Sequence, residues 1–474
     1  MATQVTRYTE TRGMVFLRML LIGVVVFLCG ISATPAEASI TDGTIDDTFR
    51  YAWGENIGWV DFGSTTDTVH VTDSVLTGSV YGENIGWIVL DFDGYDGGVT
   101  NDGEGNLDGD AWGENIGWVD FSQVVIDGNG YFTGQAYGEN IGWITFSTTT
   151  ENKVRTDWRP SSSRVTISGT LYSDEGVTQI TTGKTITVAI GTSTPSIHST
   201  TTNSGAGTWS MTFPIGSIAT GTPFVVFVDG DSVKATAVTK ASSTGNIPNL
   251  DLYQNRVIIS HEGATTTDSI SITDLAFYDN DNDPDIQFNA ASTTGTFIVS
   301  AGNELHIKAG KKFVPAGTVT ISGNAGSGVD GSFHLGDNSI YLNSGTTTIA
   351  GNLLASTTAL VGNHGTFYFN ATTTGKTITA TQPIGNLKFG GTGTYSFATN
   401  ATTTNVTIDS GATVVAPADN ITLTGSYTNN GTFTHNSGTT TFGNNGSPWT
   451  ARSATEANSW SSVTYGNDLF VAVA

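Results

Sequence analysis

The sequence predicts an all-β protein of several domains, and three observations carry this prediction. Short runs rich in Val, Ile, Thr and Phe recur along the 474 residues, separated by Gly, Asn and Ser. Beyond the N-terminus, no long run of helix-forming residues follows a helical period. One hairpin-like motif is repeated four times. We therefore expect an antiparallel hairpin repeat domain, a β-sandwich, a parallel β-helix or solenoid, and a truncated C-terminal repeat.

The N-terminus has the pattern of an export signal. Three arginines precede an apolar stretch at residues 19–33, which is short for a membrane span. Residues 36–38 (Ala-Glu-Ala) match a signal peptidase site, so we expect cleavage before Ser39 and a signal peptide at residues 1–38. An uncleaved N-terminal anchor is the alternative. Cys29 is the only cysteine, and the mature chain would therefore contain no disulfide.

The charge excludes one class of partner. The net charge is −24, and no basic patch is present that could neutralise nucleic-acid phosphates. We expect a secreted or bacterial cell-surface protein with no membrane span in the mature chain. Its expected partner is a cell-surface polysaccharide or another surface protein, and not nucleic acid.

The repeats occupy residues 39–150, the first predicted domain. The copies begin at Ala52, Val80, Ala111 and Ala136, and each contains the six residues GENIGW. Their first glycines are 28, 31 and 25 residues apart, which indicates constant hairpins joined by variable loops. Glycine and asparagine tolerate positive φ, so this core is typical of a turn between two strands.

The aromatic residues of the repeat allow two interpretations. In the favoured one, the tryptophans form a continuous core and the glutamates fix the turns. In the other, aromatic rings stack against sugars while Glu and Asn bind hydroxyl groups. The candidate carbohydrate-binding residues are Trp53, Trp59, Trp87, Trp112, Trp118, Trp143, Glu55 and Glu114.

The GENIGW core resembles the tryptophan-rich GENIGW/SENIGW repeats of predicted surface proteins from uncultivated small-genome bacteria such as Parcubacteria. The resemblance covers residues 52–146, about a fifth of the chain. It implies export and placement at the cell surface, and it names no ligand.

Two acidic loops are candidate Ca²⁺ sites, because hard cations prefer several carboxylate oxygens on a flexible loop. A solvated acidic loop is the alternative at both places. No cofactor is expected to be required, and Ca²⁺ is the one ion with candidate ligands. These ligands are Asp91, Asp93 and Asp96 in the first loop and Asp279, Asp281 and Asp283 in the second.

The rest of the chain divides by composition. Residues 151–163 are predicted to be a linker, and residues 164–250 alternate like the strands of a β-sandwich. This sandwich resembles immunoglobulin-like modules that serve as spacers in surface proteins.

Residues 256–446 contain short strands about ten or twenty residues apart, typical of a right-handed parallel β-helix. They resemble the β-helical segments of bacterial adhesins, and two further sandwiches are the alternative. Residues 447–474 resemble the start of a β-propeller repeat, which would be truncated here.

We find no catalytic motif, and the seven histidines show no metal-ligand spacing. The sequence predicts a structural or adhesion protein that projects binding modules from the envelope and contacts carbohydrate. The alternatives are a purely structural envelope component and a polysaccharide-active enzyme on the β-helix, which would need facing carboxylates in a cleft.

Overall fold

The computed structural model describes residues 40–92, 98–149, 151–191, 195–242, 245–264, 267–323, 331–362 and 365–443, and the backbone of residues 462–466 and 469–473. The predicted signal peptide, Asp93 and Asp96 lie outside the described residues. The described chain is nearly all β and contains an antiparallel barrel and a parallel solenoid, so the predicted fold class is confirmed. The chain forms two compact units that divide after Arg164.

The strands of the first unit lie between Asp42 and Thr156. They are β1 (Asp42–Gly54), β2 (Gly58–Asp61), β3 (His70–Thr72), β4 (Leu76–Thr77), β5 (Ser79–Gly82), β6 (Gly86–Val89), β7 (Thr100–Asn101), β8 (Leu107–Asp108), β9 (Asp110–Gly113), β10 (Gly117–Asp120), β11 (Val124–Ile126), β12 (Phe132–Gly138), β13 (Gly142–Phe146) and β14 (Val154–Thr156).

The four repeats form a closed barrel. Each repeat is one antiparallel hairpin, and the hairpins are β1/β2, β5/β6, β9/β10 and β12/β13. Each hairpin pairs with the next one along the chain through β2/β5, β6/β9 and β10/β12. Strand β13 then pairs with β1, which joins the fourth repeat to the first. This closure leaves no free edge among the eight barrel strands.

The interior of the barrel is filled in layers by apolar side chains. Each hairpin contributes a small or β-branched residue opposite a larger one, for example Ala52 opposite Val60 and Ala136 opposite Ile144. One residue per repeat forms a further buried layer, namely Phe62, Leu90, Phe121 and Phe146. Alternating small and large side chains fill a narrow barrel without voids.

The segments between hairpins form a second ring of pairings. Isolated bridges connect successive segments at Val75–Thr100, Asn106–Val125 and Tyr131–Arg155. Strand β14 pairs with β1, and Trp158 is fully buried in the same core. The structure therefore corrects the predicted linker at residues 151–163. This segment has a polar composition, but it contains strand β14 and the core residue Trp158, and both belong to the first unit.

The second unit begins with a group of strands that cap the solenoid. They are β15 (Arg164–Tyr172), β16 (Thr185–Ile190), β17 (Ser196–Thr201), β18 (Thr208–Pro214), β19 (Pro223–Asp229), β20 (Thr236–Lys240) and β21 (Leu252–Tyr253). A sheet of β18, β15 and β21 packs on a sheet that contains β17, β16, β19 and β20.

The sheet that contains β16, β19 and β20 is buried on both faces. Val226 and Val228 face the three-stranded sheet, whereas Val225 and Phe227 face the solenoid core. Because both faces are covered, β19 is a nearly continuous apolar run and not an alternating one. Strand β20 also pairs in parallel with β22 (Arg256–Ile259), so the sandwich and the solenoid share one sheet and one core.

The remaining strands build the solenoid. They are β23 (Phe288–Ala291), β24 (Thr296–Val299), β25 (Glu304–Ile307), β26 (Lys312–Phe313), β27 (Thr318–Ile321), β28 (Phe333–Leu335), β29 (Ile340–Leu342), β30 (Thr346–Ile349), β31 (Leu353–Ala355), β32 (Leu360–Gly362), β33 (Thr366–Phe369), β34 (Lys376–Thr379), β35 (Asn386–Phe389), β36 (Thr394–Phe397), β37 (Ala401–Thr403), β38 (Val406–Ile408), β39 (Thr413–Val415), β40 (Asn420–Leu423), β41 (Tyr427–Asn429), β42 (Thr432–Thr434) and β43 (Thr439–Gly443). A short helix, α1 (Ile272–Leu275), precedes β23.

Successive coils stack in register, in about ten turns. Phe367 pairs with Leu387 and Leu387 with Val406, which are steps of 20 and 19 residues. Each coil therefore places an apolar side chain on the one before it, as the predicted twenty-residue spacing requires. The C-terminal hairpin of β44 (Ser462–Gly466) and β45 (Leu469–Val473) pairs antiparallel with β43. Among the described residues, no helix has both the length and the apolar character to cross a membrane.

Candidate functional site on the hairpin barrel

The glycines and the isoleucine of the GENIGW core are required by the turn itself. In the first repeat, Ile57 N–H donates to Gly54 C=O at 3.3 Å, and Gly58 has φ +82°. A Cβ atom on Gly54 would lie 2.3 Å from Cγ1 of Ile57, so only glycine fits there. The isoleucines are buried at the barrel end. A β-turn followed by a left-handed glycine is a common three-residue hairpin loop.

The asparagines link the four turns into a ring. The Nδ2 group of each asparagine donates to the carbonyl oxygen of the isoleucine in the preceding repeat. The distances are 2.9–3.0 Å for Asn84 to Ile57, Asn115 to Ile85, Asn140 to Ile116 and Asn56 to Ile141. Because the last of these bonds joins the first repeat to the fourth, the ring is complete.

The aromatic residues that flank each turn lie on the outside of the barrel, and this corrects the interpretation of the tryptophans as core. Trp59 is 44% exposed and Trp87 is 41% exposed, while Val60 between Trp59 and Phe62 is fully buried. Side chains alternate between the two faces of a strand. Trp59 and Phe62 are three residues apart, so they face opposite sides, and the barrel interior takes Val60 and Phe62.

Each hairpin carries one pair of these aromatic residues, directly opposite each other on its two strands. The four pairs have ring centroids 4.7–5.0 Å apart and tilted or edge-to-face planes, namely Trp53–Trp59, Tyr81–Trp87, Trp112–Trp118 and Tyr137–Trp143. Phe92 lies 5.7 Å from both rings of the third pair. Each pair leaves apolar ring surface in solvent, repeated four times around the barrel.

The glutamates of the motif are exposed at the turns between the paired aromatics. They are Glu55, Glu83, Glu114 and Glu139. Within the described part of the chain, none of them has a hydrogen-bond or ion-pair partner, and no three of them approach closely enough to hold one metal ion. The glycines, asparagines and isoleucines thus build the barrel end, whereas the glutamates and aromatics face solvent.

No protein-family model, no curated protein and no solved structure matches this chain. Its site must therefore be interpreted from its own geometry. A small cavity beside Tyr341 and Asn343 has a volume of about 10 Å³, room for one water.

The structure does not bring Asp279, Asp281 and Asp283 together as one set of metal ligands. Asp91 is exposed, and its predicted partners lie outside the described residues. Asp279 is buried and accepts from the backbone N–H groups of Asp281 and Ala290, so its carboxylate organises the loop. Asp283 lies with Asp229 and Asp285, and Asp285 is paired with Lys234.

One further cluster of titratable side chains has no signature in the sequence. His306 and His334 are register partners on adjacent coils, and their ring centroids are 4.4 Å apart. Glu175 and Glu304 lie beside them. The coil register, which the sequence does not reveal, brings His306 and His334 together, and Glu175 reaches them from the loop after β15.

Proposed function

We propose that this chain is an exported cell-surface protein whose first unit binds neutral polysaccharide through the four outward aromatic pairs. The observation that carries the proposal is that the fold uses the glycines, asparagines and isoleucines of the motif but leaves its aromatics and glutamates in solvent.

The chemistry of these residues suits a sugar. The C–H face of a pyranose packs on the negative face of an aromatic ring, while carboxylates accept hydrogen bonds from hydroxyl groups. Trp59 and Trp118 are the most suitable rings, because both are exposed and each lies two strand positions before an aspartate, Asp61 or Asp120. A net charge of −24 disfavours acidic polysaccharides, so the expected ligand is neutral.

Four copies around one barrel also favour a polymer as the ligand. A chain that contacts two aromatic pairs gains affinity from multivalency even when each pair binds weakly. Single sugars should therefore bind much more weakly than the polysaccharide from which they derive.

The test is a pull-down and titration of the full chain with cellulose, chitin and soluble neutral glucans, beside isolated cell walls. The test variant is Trp59→Ala/Trp118→Ala, and the matched control is Val125→Ala, an exposed apolar residue outside the pairs. We expect saturable binding by wild type and control, and at least a tenfold loss in the double variant. Equal binding by a folded double variant would refute the proposal.

A purely structural role is the second candidate, and the close tilted or edge-to-face geometry of the pairs favours it. Cross-strand aromatic pairs stabilise hairpins by themselves. Binding by none of the proteins, together with a large loss of stability in the double variant, would favour this role. The polysaccharide-active enzyme is the third alternative, and it would need two facing carboxylates in a cleft that holds the sugar chain.

Export is the remaining part of the proposal, and it rests on the N-terminal sequence. Expression of the full chain in a bacterium, followed by mass measurement of the extracytoplasmic protein, tests it. We expect the mass of a chain that begins at Ser39. An intact N-terminus on a cytoplasmic protein would contradict this part alone.

A further inference from the structure

The first coils of the solenoid carry a cluster of two histidines and two glutamates. Glu304 and His306 lie on one face of β25, and His334 lies beside His306 on β28. Glu175 reaches the cluster from the loop after β15. One ligand atom from each of the four side chains lies within 4.8 Å of all the others.

The distances fit a tetrahedral metal ion. His334 Nδ1 lies 3.2 Å from Glu175 Oε1 and 3.9 Å from Glu304 Oε1, and His306 Nδ1 lies 3.6 Å from Glu304 Oε1. Ligand bonds of about 2.0–2.2 Å in a tetrahedron imply ligand–ligand distances of about 3.3–3.6 Å. The three distances above lie close to this range, and the ligand atoms of all four side chains lie within 4.8 Å of one another.

A second observation points to a ligand. Nδ1 of His306 is buried without a hydrogen-bond partner, although the residue is only 7% exposed. A buried polar atom without a partner costs free energy. This atom faces Glu304 at a distance too long for a hydrogen bond, and a metal between them would satisfy it.

The net charge of the cluster favours the binding of a cation. Arg256 donates to Glu304 Oε1 at 3.2 Å and to Glu175 Oε1 at 3.3 Å. One arginine compensates one of the two carboxylates, so the cluster with neutral histidines keeps one negative charge. A carboxylate oxygen has two lone pairs and can accept from Arg256 while it also binds a metal.

We propose that Glu175, Glu304, His306 and His334 bind one Zn²⁺ ion, which fastens the loop after β15 to the first coils of the solenoid. Two imidazoles with two carboxylates suit Zn²⁺ and its neighbours in the first transition row, whereas Ca²⁺ prefers oxygen ligands alone. This inference is independent of the carbohydrate proposal and concerns only the second unit.

The test uses the full chain, stripped with a chelator and titrated with ZnCl₂ by calorimetry, with CoCl₂ as a spectroscopic probe. The variants are His334→Gln and Glu175→Gln, and the control is His70→Gln, an exposed histidine of the first unit. Glu175 is on an exposed loop, so we expect its variant to keep the fold, and circular dichroism checks both variants.

We expect one Zn²⁺ per chain in wild type and control, with tetrahedral Co²⁺ absorption and a raised melting temperature of the second unit. Both cluster variants should bind at least tenfold more weakly and lose the absorption. Either of two results would overturn the proposal, namely no micromolar binding by wild type or unchanged binding by both folded variants.

Discussion

The side-chain Nδ2 of Asn56 donates to the carbonyl oxygen of Ile141 at 3.0 Å, across 85 residues of sequence. This bond joins the first repeat to the fourth and completes a ring that three other asparagines form between consecutive repeats. The same two repeats are joined by the pairing of β1 with β13. The four repeats that follow one another along the chain are thus arranged around a closed barrel.

Replacing Asn56 by Ala should lower the free energy of unfolding of the first unit by about 1 kcal/mol, because one hydrogen bond of the ring is lost. Denaturant unfolding followed by tryptophan fluorescence measures the change. Glu55→Ala is the matched control at the neighbouring exposed position, and we expect it to alter stability by less than about 0.5 kcal/mol. Equal losses in the two variants would contradict a specific role of the ring.

Replacing Gly82 by Ala should destabilise the first unit by about 1–3 kcal/mol, because the added Cβ would lie 2.6 Å from Cγ1 of buried Ile85. Gly183→Ala is the control, since its nearest neighbour would lie 3.4 Å away. Thermal unfolding of both variants tests the prediction. A neutral Gly82→Ala variant would mean that the isoleucine layer at the barrel end is not tightly packed.

The first unit should lose stability in acid partly through Asp73. Hydrogen bonds from Arg164 and then from Trp158 Nε1, which donates at 2.8 Å, hold the pKa of Asp73 below its usual 3.8. A carboxylate with a lowered pKa contributes stability above pH 3.8, and this contribution is lost as the pH falls through the folded pKa. Asp73 is half exposed, so solvent screening limits its ion pair to about 1 kcal/mol or less.

Asp73→Asn should therefore be less stable than wild type at pH 6, and the difference should shrink below pH 3.8. Urea unfolding at several pH values measures it. Asp108→Asn, an exposed aspartate of the same unit without an ion-pair partner among the described residues, serves as the control. A difference that does not change with pH would assign the effect to packing of Trp158.

The sandwich and the solenoid should unfold as one cooperative structure. Phe227 on β19 is fully buried in the solenoid core although it belongs to the sandwich sheet. Phe227→Ala should cost about 3–5 kcal/mol and lower the melting temperature of the whole second unit. Ile298→Ala, at an exposed position of β24, is the control. Separate transitions for the sandwich and the coils in calorimetry would contradict a shared core.

Parts of this architecture could be predicted because they depend on local sequence. The glycines, asparagines and strand-forming residues determine the hairpins, and the twenty-residue spacing determines that coils stack. The aromatic surface of the hairpin barrel could be predicted less well than the strands. Trp59 and Val60 are both apolar, so composition does not tell which of them faces inward, although the odd separation of Trp59 from Phe62 excludes a shared face.

The sequence by itself determined an all-β chain with four equal hairpins and a repetitive second half, because turn chemistry and strand alternation act over a few residues. Only the tertiary structure decided that the hairpins close into a ring, because closure depends on the pairing of β1 with β13, more than 80 residues apart. Closure also decided which face of each strand became the interior: Val60 and Phe62 fill it, which leaves Trp59 outside. The register of the coils likewise decided that His306 meets His334, since one full turn of backbone separates them in sequence but not in space.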